Sequence, residues 1–148
     1  MIDLAPMTSA DYDEVLALWR TSEGIGLSPA ADSREGIASY LERNPGLSWV
    51  VREGGGVVGA ALCGHDGRRG FIHHVAVARE HRGRGTGRAL VTRCLEGLRA
   101  IGMERCHLFV RSGNPDGLEF WRHMGWRLRD DVSMMTFTMA APHPSRDG

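Results

Sequence analysis

The chain contains no lysine. All 18 of its basic residues are arginine, balanced by 18 carboxylates to a formal net charge of zero. The simplest reading of that bias is genomic codon usage. No apolar run approaches the ~20 residues a membrane-spanning helix needs, so no membrane partner is expected. The opening stretch MIDLAPMTSADYDEV lacks the basic-then-apolar order of a signal peptide, and the expected compartment is cytoplasmic. Cysteine is scarce. Cys63, Cys94 and Cys106 form no CxxC pair, are odd in number and each sit in an apolar run. That argues against a metal site and reads as free, buried thiols. Aromatics are few, and Phe71 is the only one between 65 and 93. Arginines without an interleaved stacking platform argue against nucleic acid as a partner. No internal repeat recurs at 20–50 residues.

What is present is a chain of 148 residues, long enough for one domain with a sizeable core. Residues 1–140 read as that domain and 141–148 as a mobile tail. The neutral balance hides a segregation of charge. Residues 1–42 carry eight carboxylates against Arg20 and Arg34, a net of −6. Residues 65–93 carry seven arginines against Asp66 and Glu80, a net of +5. Two ligands of opposite sign fit that division, although solvated faces give the same tally.

Hydrophobic periodicity places the elements. A short strand at 2–4 precedes a helix opened by Thr8 and Asp11, with Tyr12, Val15, Leu16 and Trp19 on one face. A turn-rich loop (21–33) leads to a second helix from about Ser33, ended by NPG at 44–46. LSWVVRE and VVGAALCGHD form a hairpin across GGG, and GRRG turns the chain into FIHHVAV at 71–77. A long helix to about Ile101 carries Leu90, Val91, Cys94, Leu95, Leu98 and Ile101 as its inner stripe, with Gly102 at its C-terminus. RCHLFV (105–110) reads as a strand, and Asn114 and Pro115 start a short helix stopped by Gly125. WRLRDD and VSMMTFTM would close the sheet as a last hairpin. The order β-α-α-β-β-β-α-β-α-β-β predicts an α+β fold: one mixed, mostly antiparallel sheet flanked by about four helices.

The segment HRGRGTGR (81–88) lies between a strand and the long helix. A glycine-rich turn feeding a helix leaves several N–H groups unpaired, and the helix start adds partial positive charge. Together they make an anion cradle, which glycine lets a phosphate approach closely. Arg82, Arg84 and Arg88 can add bidentate contacts. Two familiar phosphate motifs fail here. A Walker loop would end in Gly-Lys-Ser/Thr, whereas Gly87 is followed by Arg88 and Ala89. A dinucleotide fingerprint would have glycine where Arg88 stands.

Arg82-Gly83-Arg84-Gly85-Thr86-Gly87 fits Q/R-x-x-G-x-G/A, and so resembles the coenzyme A pyrophosphate loop of the GNAT superfamily of N-acetyltransferases. HHVAVAREHRGRGTGRALV is similar to that family's core motif, and NPDGLEFWRHMGW to its later N-x-x-A-x-x-F-Y-x-x-x-G-F motif. The resemblance implies one acetyltransferase domain that uses acetyl-CoA as acetyl donor. Val75, Ala76 and Val77 would then meet the pantetheine arm and the acetyl carbonyl. Arg82, Gly83, Arg84, Gly85, Thr86, Gly87 and Arg88 would bind the pyrophosphate, mainly through main-chain N–H. Asn114 would hydrogen-bond the pantetheine, and Trp121 would lie beside the cofactor. A homodimer is compatible with the resemblance, the late strands being its contact surface.

The chain departs from the family pattern in two places. Trp121 stands where many members carry a tyrosine that protonates the leaving thiolate, and indole N–H is no titrating acid. Phe109 stands where some carry a glutamate base. A non-catalytic acyl-CoA-binding module therefore stays open beside the enzyme. For an enzyme, His73 and His74 are the candidate bases, because imidazole titrates near neutrality. Strand alternation predicts that one faces the substrate cleft and the other the opposite layer, with His73 favoured. Glu23 and Asp32 in the 21–33 loop, within the −6 segment, are the candidate contacts for an amine acceptor: a small molecule, peptide or protein.

Overall fold

A computed structural model describes residues 2–139, so the tail expected at 141–148 lies outside the described residues. The chain runs β1 (Asp3–Pro6), α1 (Tyr12–Arg20), α2 (Arg34–Arg43), β2 (Trp49–Glu53), β3 (Gly56–His65), β4 (Gly70–Val77), α3 (Thr86–Ala100), β5 (Cys106–His107) and α4 (Pro115–His123). Short 3₁₀ turns at Ser9–Asp11 and Arg79–His81 lead into α1 and toward α3. The strands lie in sequence order in one sheet. The first four pair antiparallel, and β5 joins β4 in parallel.

Local chemistry explains the element ends. The Thr8 N–H donates to Asp11 Oδ2 at 2.9 Å, half of a capping box. Ser33 caps α2 by accepting the Gly36 N–H at 3.0 Å. The β2–β3 hairpin turns through Gly54 and Gly55, both at positive φ (64° and 86°), as a two-residue loop matched to strand twist requires.

Alternation along β2 and β3 divides the core in two. Val50, Ala60 and Leu62 face α1 and α2, where they bury Val15, Leu18, Trp19 and Ile37. Val51, Ala61 and Cys63 face α3 and cover Leu90, Val91, Cys94 and Leu98. Each fully buried side chain of this kind contributes about 1.5–3 kcal/mol. Ile101, expected on the inner stripe, is half exposed, because the helix has ended at Ala100.

Two expectations for the C-terminal third are corrected. The strand predicted at 105–110 is reduced to Cys106–His107, because β5 leaves β4 after two paired residues. Among the described residues WRLRDD and VSMMTFTM form no strands. Met135 and Phe137 stand 93% and 83% exposed. Strand-like composition needs a paired edge to template it, and the divergence of β5 provides almost none.

Candidate functional site

The parting of β4 and β5 makes the site. Their parallel ladder covers Gly70–Cys106 and Phe71–His107 only. Beyond it β4 runs on to Val77 while residues 108–111 swing away, opening a cleft of about 990 Å³. Val75, Ala76 and Val77 form one wall of it, and Leu108 to Arg111 the other. The glycine loop, α4 and residues 22–26 complete its lining.

The glycine loop is built as a cradle. Gly83 and Gly85 take φ of 78° and 83°, and a Cβ added at either would meet nothing within 4 Å. No side chain caps α3. Among the described residues the N–H groups of Gly83 through Arg88 donate no hydrogen bond. An unpaired row of donors at a helix start is an anion site. Arg82 and Arg88 line the cleft beside it. Arg84 turns the other way, its Nη1 3.7 Å from Glu53 Oε1, where His81 Nδ1 also lies at 2.6 Å. These contacts tie the loop to the β2–β3 hairpin. Thr86 is buried beneath it. Gly87 lies against Phe120, whose Cζ would be 3.2 Å from an added Cβ.

Asn114 and Trp121 come to the cleft from α4. Asn114 Oδ1 caps that helix by accepting the Gly117 N–H at 3.1 Å, while its Nδ2 closes on Gly24 of the facing loop. Trp121 packs edge-on to Trp126 and Phe120 and reaches the α3-side core.

The two histidines do not alternate as expected. Ala60 pairs with Ala76 and Leu62 with His73, so Ala61 opposes both His74 and Val75 across a β-bulge. His74 takes φ of 54°, the only described non-glycine residue at positive φ. Such a conformation persists only where the surroundings enforce it. Face assignment changes across the bulge: Ile72 packs with α3, yet Ala76 packs with α1. His74 is thereby turned to the α1–α2 side, where its ring meets Trp19. The rings of His73 and His74 are 6.4 Å apart, and both residues line the cleft. The bulge overrides the period-2 rule.

Around His73 stand Phe71, Phe109 and Tyr40, with ring centroids at 6.2, 6.5 and 6.3 Å. Desolvation among them, and then the neighbouring His74, lower its pKa below the ordinary histidine value. Both causes favour the neutral ring. His74 Nε2 lies 3.0 Å from Asp32 Oδ1. Asp32, the loop residue expected as an acceptor contact, is buried. Glu23 lies at the cleft mouth, paired with Arg79 at 3.0 Å and Arg82 at 3.4 Å. Its own backbone N–H, then Arg82 and Arg79, hold its carboxyl below the usual range. Sequence reasoning missed Trp19 and Arg79 as parts of this site. Arg79 was legible as part of the +5 segment, but no local pattern marks Trp19, which lies 55 residues from His74.

Comparison with known proteins gives a family for this geometry. Residues 12–126 match the acetyltransferase (GNAT) family. An acetyltransferase of Sodalis glossinidius is 31% identical over 125 residues, 84% of this chain and 87% of that protein. An acetyltransferase of Yersinia enterocolitica is 27% identical over 133 residues, covering 90% and 93%. Among solved structures, the PaiA N-acetyltransferase of Thermoplasma acidophilum, in complex with coenzyme A, superposes with a TM-score of 0.78 at 16% identity. That match covers 89% of this chain and 93% of that one, and at this identity it bears on the fold alone.

Proposed function

Because the chain belongs to the GNAT acetyltransferase family, we propose that it transfers acetyl from acetyl-CoA to a primary amine of a small molecule or peptide, by direct attack in a ternary complex. The observation that carries this reading is the row of unpaired N–H groups from Gly83 to Arg88, opening onto the gap between β4 and β5. These residues fit the donor: the free Cβ space at Gly83 and Gly85 leaves room for a pyrophosphate against the backbone.

Acetyl-CoA supplies the activated thioester, and the chain does the rest. Main-chain N–H of the 83–88 loop and the positive end of α3 hold the pyrophosphate, with Arg82 and Arg88 beside it. The Val75–Val77 backbone, unpaired on its β5 side, runs along the pantetheine, and a strand N–H polarises the carbonyl. Asn114 Nδ2 donates to the same arm, and Trp121 forms an apolar wall. A thiolate leaves readily, so a tryptophan at that position does not stop the reaction. The harder demand is a neutral nucleophile, since an ammonium of pKa about 10 is protonated at pH 7. The His73–His74 pair meets it as proton acceptor. Direct attack is supported by the lining of the cleft, which holds no cysteine among the described residues. Glu23 is engaged by two arginines and Asp32 by His74, so neither is a free carboxylate for a polycation. Phe109, 60% exposed beside His73, gives the acceptor an apolar surface.

The test is initial-rate kinetics of thiol release with acetyl-CoA and a panel of primary amines, both concentrations varied. Intersecting double-reciprocal lines are expected. Parallel lines would show an acetyl-enzyme instead, and tight acetyl-CoA binding without release would leave a non-catalytic binding module.

A further inference from the structure

Asp32 and His74 are 42 residues apart in sequence, yet they form the most fully enclosed ionisable pair beside the cleft. Their side chains are 9% and 18% exposed. Asp32 is fixed by four contacts, the first being its own N–H donating to the Ser28 carbonyl at 2.9 Å. Its Oδ2 accepts the Ser28 N–H at 2.8 Å, its Oδ1 meets His74 Nε2 at 3.0 Å, and its carbonyl accepts the Tyr12 hydroxyl at 2.7 Å. His74 is fixed as firmly. The Trp19 Nε1–H donates to its carbonyl at 2.9 Å and the Trp19 ring stands edge-on at 4.9 Å. Those contacts hold the left-handed backbone, which costs on the order of 1–3 kcal/mol where nothing compensates it. That backbone conformation brings the imidazole to the carboxylate.

We infer that Asp32 is the positioning residue for His74, and that His74 is the member of the histidine pair that takes the proton from the acceptor ammonium. This rests on the acetyltransferase reading above. A carboxylate accepting from Nε2–H fixes the tautomer and leaves the Nδ1 lone pair as the base. Among the described residues Nδ1 makes no hydrogen bond, and it is not a buried orphan. The charged and titratable groups facing the ring are few. The loop before α2 contributes Asp32 and β4 contributes His73, 6.4 Å away between ring centroids. From α1 comes only the uncharged Trp19 indole, and Tyr40 of α2 meets His73 instead.

The step balances as follows. His74 Nδ1 takes one proton from R–NH₃⁺, giving R–NH₂ and an imidazolium stabilised by Asp32. The amine nitrogen forms the new C–N bond to the thioester carbonyl as the C–S bond breaks. The second proton lost by nitrogen goes to the departing thiolate. The imidazolium returns its proton to solvent. The sum is amide, free thiol and one proton.

The experiment is kcat and KM for wild type, Asp32→Asn and His74→Gln, using a primary amine that the wild type acetylates. Acetyl-CoA affinity is read in parallel by thermal shift. His74→Gln should lose about 10²–10⁴-fold in kcat. Asp32→Asn should lose roughly tenfold or more, with acetyl-CoA affinity kept. The KM values for amine and acetyl-CoA should stay, so that the loss falls on kcat alone. A carboxylate that merely braces the loop would lower stability and leave kcat in place, which would overturn the inference. So would full kcat in His74→Gln. Should Asp32→Asn fail to fold, ¹⁵N spectra of the wild-type imidazole decide: a protonated Nε2 and bare Nδ1 support the inference, and the opposite tautomer overturns it. Absence of turnover in wild type would instead defeat the acetyltransferase reading, and this inference with it.

Discussion

Gly85→Ala separates the cradle from the rest of the fold. Gly85 precedes the first residue of α3 at φ of 83°, with open space where a Cβ would point. No clash arises, so the folding cost is the left-handed backbone alone, about 1–2 kcal/mol. A less flexible unfolded chain offsets roughly 0.4–1 kcal/mol of that. A net loss of about 1 kcal/mol lowers Tm by about 2–4 °C in a domain of this size. The effect on the ligand is larger. The new methyl group enters the space assigned to the pyrophosphate and displaces it from at least one N–H, and a hydrogen bond to a charged group is worth about 1.5–3 kcal/mol. Affinity should therefore fall roughly 10- to 100-fold. At a concentration 100 times the wild-type Kd, acetyl-CoA adds about 2.7 kcal/mol to the wild type and about 0.4–1.4 kcal/mol to the variant. In thermal denaturation those values become rises of about 5–11 °C and about 1–6 °C. A variant that loses 2–4 °C unliganded yet keeps the whole acetyl-CoA shift would refute the placement of the phosphates on this loop.

Three further outcomes follow from other contacts. The lowered pKa of His73 means the unfolded chain takes up a proton near pH 6.5 that the folded chain resists, so stability falls as pH drops below that value. His73→Gln should flatten the decline in denaturation midpoint between pH 7 and 5, and an unchanged slope would contradict the burial of a neutral ring. Gly64→Ala places a Cβ 2.5 Å from the Tyr40 hydroxyl and 2.7 Å from Asn44. Asn44 is already held by the Tyr40 carbonyl and the His65 N–H, so about 1–3 kcal/mol should be lost, and an unaltered Tm would show that the contact yields. Glu23→Gln breaks exposed ion pairs with Arg79 and Arg82 and frees Arg82 for phosphate. Acetyl-CoA should bind more tightly by calorimetry at low salt, and weaker binding would mean that Glu23 organises the loop instead of competing for it.

Much of the element order and the glycine loop was legible because its determinants are local. Thr8, Ser33 and Asn114 announce helix starts within a few residues, and the glycines of 83–87 state their backbone needs in sequence. The strand, loop and helix order around them did the rest. The histidine pair was not legible in the same way. Asp32 reads as a loop carboxylate until the bulge at His74–Val75 turns the imidazole toward it. No alternation rule foresees a bulge in a strand without glycine at that point. The closing hairpin failed for a related reason. VSMMTFTM has strand composition, but pairing is decided by a remote edge, and β5 diverges from β4 after His107.

The central claim is that β4, β5 and the glycine loop form one coenzyme A site. A crystal structure of the protein with coenzyme A measures it directly. The pyrophosphate oxygens should lie about 3 Å from main-chain nitrogens between Gly83 and Arg88, with the pantetheine along Val75–Val77 and its sulfur toward His73 and His74. Coenzyme A bound outside the gap, or with its phosphates on side chains away from that loop, would contradict the account.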